Sequence, residues 1–110
     1  MTMSNLFYNR LGLAMRAGKV VHGEQAVLDA VRSQEAKLVL LAADASDNTR
    51  KKYADKCSHY HIPLVEYGTR DEIGAGIGKE SRVAVAVTDS GFARLLTESQ
   101  GKPAEVERFE

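Results

Sequence analysis

The sequence predicts an α/β protein: a three-layer α/β/α sandwich around a small, mainly four-stranded mixed sheet. Strand-like and helix-like segments alternate along the chain, the pattern of a sheet covered by helices. Two of the strand-like segments, residues 38–43 and 82–87, are almost continuously apolar, as strands buried on both faces are. With 110 residues and 44% hydrophobic content, the chain can close one core but not two.

Ser4 is suited to cap a first helix whose Phe7, Leu11 and Ala14 share a face; Gly18, after Arg16, supplies its stop. Val20 and Val21 make a very short strand. A second helix opens at Gly23 with an apolar stripe of Ala26, Val27, Ala30 and Val31, and Arg32 near its end suits the helix dipole. Residues 33–37 turn the chain into the strand 38–43. Ser46 caps a third helix through about residue 58, where Tyr53, Cys57 and Tyr60 recur at helical spacing and Arg50, Lys51, Lys52 and Lys56 supply positive charge. Pro63, Leu64 and Val65 open a third strand. Thr69-Arg70-Asp71-Glu72 has the form of a capping box; it starts a short helix carrying Ile73 and Ile77 that ends in glycines. After the strand 82–87, residues 90–97 form a last helix with Phe92, Leu95 and Leu96 on one face. Residues 1–97 thus read as a single domain and residues 98–110 as an acidic, frayed tail.

Composition narrows the function. No apolar run approaches the ~18 residues of a membrane span, and the first residues lack a secretory leader's basic start and apolar middle, so a cytoplasmic protein is expected, with no membrane partner. A single cysteine agrees with a reducing compartment. Net charge is zero, which argues against indiscriminate coating of nucleic acid and leaves room only for a local basic patch. Residues 1–23 carry Arg10, Arg16 and Lys19 with no acid, whereas the tail has four Glu against Lys102 and Arg108. The positive stretch therefore leads into the Gly23 helix start. There a helix N-terminus lies next to a strand end, an arrangement that receives phosphate.

Three other motifs carry less. Gly74-Ala75-Gly76-Ile77-Gly78-Lys79 lacks the P-loop's first glycine, since position 73 is Ile, and has Glu80 where Ser or Thr is needed; it also runs from helix to strand, opposite to a dinucleotide fingerprint. Cys57, His59 and His61 are spaced by two, which scatters them around a helix, and no fourth ligand is near, so no metal or cofactor is expected. Nothing beside Cys57 marks it as an activated thiolate; it reads as a core residue beside Tyr53. No acid, base and nucleophile converge in sequence, so no catalysis is expected.

Several of these segments resemble the kink-turn RNA-binding ribosomal-protein family typified by the archaeal protein L-seven-Ae. Its pattern runs Gly-x-Asn-Glu-x-x-Lys at a helix start, then an apolar strand and Ala-x-Asp-x. Gly23, Ala30, Val31 and Ala42-Ala43-Asp44-Ala45 fall in step with it, and Ile73-Gly74 ahead of Gly78 is similar to its Leu-Gly-x-x-x-Gly. The resemblance spans roughly residues 5–97 and is nearest to the small bacterial YlxQ-like branch, through Leu11-Gly12-Leu13-Ala14, Gly23-Glu24 and Gly78-Lys79-Glu80-x-Arg82. It implies a non-enzymatic protein that recognises bent, structured RNA, with possible association with the ribosome.

The resemblance implies RNA contacts at Lys19, His22, Gly23, Glu24, Gln25, Ser46, Lys79, Ser81 and Arg82. In that scheme the amides at residues 23–25 meet phosphates, Gln25 meets a base edge, and Lys19, Lys79 and Arg82 neutralise the flanking strands. Lys79 stands where the family usually has an apolar residue, and His22 where it often has Lys. The chain also departs from the family's Asn-Glu-x-x-Lys: Gln25, Ala26 and Asp29 stand there, removing one acceptor and placing a carboxylate where a cation is expected. That departure supports an alternative, a protein-interaction module of the same fold whose RNA face has decayed. Clustering of Arg16, Lys19, Lys79 and Arg82 around Gly23 favours RNA; neutralisation by Glu24, Asp29 and Glu80 favours the alternative.

Overall fold

The computed structural model describes residues 3–99, with side chains from Leu6 onward. The elements are α1 (Met3–Arg16), β1 (Val20–His22), α2 (Glu24–Arg32), β2 (Leu38–Leu41), α3 (Asp47–Tyr60), β3 (Leu64–Glu66), α4 (Arg70–Gly76), β4 (Ala84–Val87) and α5 (Ser90–Ser99). The strands form one four-stranded sheet in the order β1-β4-β2-β3. β4 runs antiparallel to β1 and β2, and β2 runs parallel to β3, so the sheet is mixed, as the sequence predicts.

Strand periodicity builds two cores. Leu38, Leu40, Ala42, Val85 and Val87 face one side, where they meet Phe7 and Leu11 of α1, Ile73 of α4 and Leu96 of α5. Val39, Leu41, Ala84 and Ala86 face the other, against Val27 and Val31 of α2 and Tyr53 and Cys57 of α3. Volumes compensate across the ladder: Val39 pairs with Ala86 and Leu41 with Ala84, so the small residues of β4 lie beside large ones of β2. Each fully buried Val, Leu or Ile contributes on the order of 1.5–3 kcal/mol, which makes β2, buried at all four positions, the centre of the fold.

The helix ends follow their signals. Lys19 N–H reaches Ala14 O at 2.9 Å and Gly18 N–H reaches Met15 O at 3.0 Å, which closes α1 at Gly18. Ser46 Oγ accepts from Thr49 N–H at 3.2 Å. The Thr69 box is complete: Glu72 N–H donates to Thr69 Oγ1 at 3.1 Å and Thr69 N–H to Glu72 Oε1 at 3.0 Å.

Some expectations are corrected. α1 begins at Met3, so Ser4 lies in its first turn rather than before it. Ala26 is exposed, because the face of α2 that meets the sheet holds Val27, Ala30 and Val31. On α5 the buried face is Ala93 and Leu96, while Leu95 stays 38% exposed; the shorter alanine lets α5 approach the core. The central strands are shorter than their apolar runs, ending at Leu41 and starting at Ala84, because the flanking residues bend away into loops. α5 continues through a buried Ser99, two residues past its expected end, and residues 100–110 of the proposed tail lie outside the described residues.

The topology also fixes where loops gather. β1, β2 and β3 all point the same way, and each runs into a helix at that end of the sheet. The starts of α2, α3 and α4 therefore collect on one rim, which the chain re-enters through residues 77–83 before β4.

Candidate nucleic-acid interface

The rim is stitched together by backbone and side-chain bonds between its loops. Ala42 N–H donates to Val83 O at 2.8 Å and Ala43 N–H to Gly68 O at 2.7 Å. Asp44 accepts from Arg70 N–H at 3.0 Å, and Arg82 N–H donates to Arg70 O at 3.0 Å. Arg82 Nε then reaches His22 Nδ1 at 3.4 Å, which joins the loop before β4 to the end of β1. Arg50 ties the β2–α3 loop from behind, donating to Ala43 O at 3.2 Å and Ala45 O at 3.1 Å and pairing with Glu66.

Two glycines shape the loop that carries Lys79, Ser81 and Arg82. Gly78 has φ +74°, and its N–H and that of Lys79 turn back on the end of α4, Lys79 N–H reaching Gly74 O at 2.8 Å. At Gly74 the constraint is contact: a Cβ there would lie 2.0 Å from Glu80 O and 2.6 Å from Glu80 C. The loop therefore rests directly on α4.

The three helix starts differ. α3 and α4 are capped by Ser46 and Thr69, whereas the cap position of α2 is Gly23, which has no side chain to accept from the first amides. Nothing lies within 4 Å of where a Gly23 side chain would begin, so the approach is open. His22 is half-buried immediately before it, with Gln25 exposed in the first turn. Burial, and then the charges of Arg82 and Lys79, hold His22 below the ordinary imidazole pKa. A neutral ring accepting at Nδ1 carries its proton on Nε2.

The charges divide unevenly. Among the described residues, Lys79 and Arg82 have no carboxylate partner, and the Arg82 guanidinium is held instead by the carbonyls of Glu80 and Ser81, at 3.2 and 3.0 Å. The acids of α2 are matched: Glu24 pairs with Lys52, and Asp29 with Arg32. Glu80 is the unmatched acid of the loop among the described residues.

The structure thus brings His22, Gly23, Glu24, Gln25, Ser46, Lys79, Ser81 and Arg82 to one rim. Lys19 is not among them. Val20 pairs with Val87 and His22 with Val85, so Lys19 precedes β1 at the opposite end of the sheet, where its carbonyl accepts from Thr88. Arg16 lines a groove between α1 and α4 with Gly12, Met15 and Gly76. Ser46 is at the rim but its hydroxyl is spent on the α3 cap, donating also to Thr49 Oγ1 at 3.0 Å. Sequence reasoning missed Arg70, for which the capping box at Thr69, placed just after a strand end, was the signal; Lys52 it read only as part of a basic helix face. Cys57 is buried, and burial pushes its thiol up to about 11, while His59 and His61 are exposed. That trio does not converge.

A profile of the ribosomal protein L7Ae/L30e/S12e/Gadd45 family matches residues 6–97. The chain belongs to this family. Over 86 residues it is 56% identical to "RNA-binding protein YlxQ" of Bacillus subtilis strain 168, covering 78% of this chain and 86% of that one. The Enterococcus faecium protein of the same name is 44% identical over 90 residues, covering 82% and 86%. Among solved structures, a protein of unknown function from Bacillus halodurans superposes with a TM-score of 0.81 at 42% identity, covering 84% of this chain and 94% of the other. No helix of the described residues is long and apolar enough to cross a membrane.

Proposed function

We propose that the protein is a non-enzymatic, cytoplasmic RNA-binding protein that takes sharply bent, kink-turn RNA at the rim of its sheet, with a ribosomal particle as one setting for that RNA. The observation that carries this is the open, uncapped start of α2 beside His22, Lys79 and Arg82, where two cations have no carboxylate partner among the described residues. Free amides with nearby cations complement a phosphate backbone, and a bend brings phosphates close enough together to meet both at once. The matched acids of α2 remove most of the repulsion that its sequence suggests. Relatives named RNA-binding proteins, and the family's ribosomal members, support the same class of ligand. The interaction-module alternative loses ground with the pairing of Glu24 and Asp29, and keeps Glu80, the exposed Ala26 and the placement of Lys19 and Arg16 away from the α2 start.

The test is a titration against a kink-turn hairpin and a straight duplex of equal length at ~150 mM salt, where long-range attraction is largely screened. Tighter binding of the bent RNA is expected. Equal affinity for both leaves only nonspecific attraction and returns the rim to the interaction module.

A further inference from the structure

The exposed face of α2 carries three side chains in contact, Gln25, Asp29 and Arg32, spaced by four and three residues. Gln25 Nε2 donates to Asp29 Oδ1 at 2.9 Å, and the Arg32 guanidinium pairs with the same oxygen. An amide can present either its NH2 or its oxygen to a neighbour, but a carboxylate accepts only, so the Gln25 amide has one permitted orientation.

We propose that Asp29 is a positioning residue that engages one N–H of the Gln25 amide and turns its carbonyl oxygen toward the ligand, so that this oxygen selects a base N–H donor. The inference rests on the RNA function proposed above and names the specificity of that site. The donors available are the amino groups of adenine, cytosine and guanine and the ring N–H of guanine and uracil; the competing acceptors are O6 of guanine, O4 of uracil and N7 of either purine. Gln25 is exposed in the first turn of α2, beside the open Gly23, so its outer edge is free to meet a base. Bonds from Arg32 and Gln25 hold the Asp29 carboxyl below the usual carboxylate range, so it remains an acceptor at neutral pH. A lysine at this position reverses the logic. Its ammonium donates only, engages Oε1, and presents the amide NH2 outward. The residue at 29 is thus a donor-or-acceptor switch acting through Gln25.

Two measurements test this on the full chain. In the free protein, the Gln25 side-chain amide proton is expected downfield in NMR spectra, and it should return toward a free amide in Asp29→Ala. In binding, the wild type, Asp29→Ala and Asp29→Lys are titrated against kink-turn hairpins in which one unpaired base of the bend at a time is replaced by an analogue lacking a single donor (purine for adenine, inosine for guanine) or a single acceptor (a 7-deazapurine). At one position the wild type should lose about threefold to tenfold on removal of the donor, the range one net hydrogen bond supplies, and little on removal of the acceptor. Asp29→Ala should flatten that ranking and Asp29→Lys should reverse it. Rankings are compared within each variant, so the charge released on Arg32 does not enter. The proposal is overturned by an amide signal indifferent to Asp29→Ala, or by one ranking shared by all three proteins. If the wild type binds no bent RNA while the amide signal behaves as expected, the RNA function is what fails, and base selection falls with it.

Discussion

Replacing Gly74 with alanine tests whether the rim loop is set by its contact with α4. The new Cβ would lie 2.0 Å from Glu80 O, 2.6 Å from Glu80 C and 2.9 Å from Ser81 Cα, all backbone, so no side chain can swing aside to relieve it. Reaching an ordinary contact of about 3.4 Å requires the chain at Glu80 and Ser81 to lift off the helix. Two hydrogen bonds cross the same seam: Lys79 N–H to Gly74 O at 2.8 Å, and Arg82 N–H to Arg70 O at 3.0 Å. Overpacking costs about 1–3 kcal/mol and each bond lost about 1 kcal/mol, so a loss of roughly 2–5 kcal/mol is expected. At ~4–8 °C per kcal/mol for a domain of this size, the melting temperature should fall by roughly 10 °C or more. Gly91→Ala is the contrast, since its Cβ meets only the Asp89 side chain, at 3.1 Å; that carboxylate accepts from Phe92 N–H at 2.9 Å, so the change should cost no more than one helix cap, about 1 kcal/mol. Urea unfolding measures both variants, and kink-turn titration well below the melting point shows whether displacing Lys79 and Arg82 weakens the proposed RNA binding. A Gly74→Ala protein within about 0.5 kcal/mol of the parent would refute the argument, because the loop then yields freely.

Removing both rim cations, Lys79→Ala with Arg82→Ala, should weaken binding to all kink-turn sequences alike and lower the slope of log K against log salt by roughly one per lost phosphate contact, measured by titration from ~50 to ~200 mM salt. A changed base preference with an unchanged slope points instead to base contacts by the loop. His22 titrates below its ordinary value of 6.5, so the unfolded chain binds the extra proton first: folding stability should decline as pH falls from about 6.5 through the folded value, and His22→Gln should remove that part of the decline in urea titrations. A phosphate beside the ring favours the imidazolium, so RNA affinity should rise over the same interval and lose this dependence in His22→Gln. Tyr53 is fully buried and its hydroxyl has no hydrogen-bond partner among the described residues, so Tyr53→Phe should be neutral or stabilising by up to about 1 kcal/mol in thermal melts, and a clear loss would reveal a missed partner.

The sequence made the scaffold legible where a single segment carries its own signal. The apolar runs of β2 and β4, the caps at Ser46 and Thr69, and the stop at Gly18 each need only a few neighbouring residues to be read. The interface is harder because it is assembled from residues 22–25, 43–46, 68–70 and 79–82, and only the pairing of β4 against β1 brings the last of these to the first. Lys19 shows the limit: four positions from Gly23 in sequence, it lies at the other end of an extended strand. Asp29 shows another, since its charge looks repulsive until Arg32 and Gln25 are seen to occupy it. The pairing of Lys52 with Glu24 links two helices across 28 positions and left no local trace.

The shared direction of β1, β2 and β3 has a practical corollary for building with this protein. Their entry turns, near residues 17–19, 33–37 and 61–63, lie at the pole opposite the rim, together with the β4–α5 turn at Thr88 and Asp89. An affinity handle, fluorophore or inserted peptide placed at exposed Gln34 or Glu35 is anchored to the same rigid sheet yet kept away from the ligand by its full strand length. One pole of the sandwich is thus available as a mounting point, and changes made there can be varied independently of whatever the opposite pole holds.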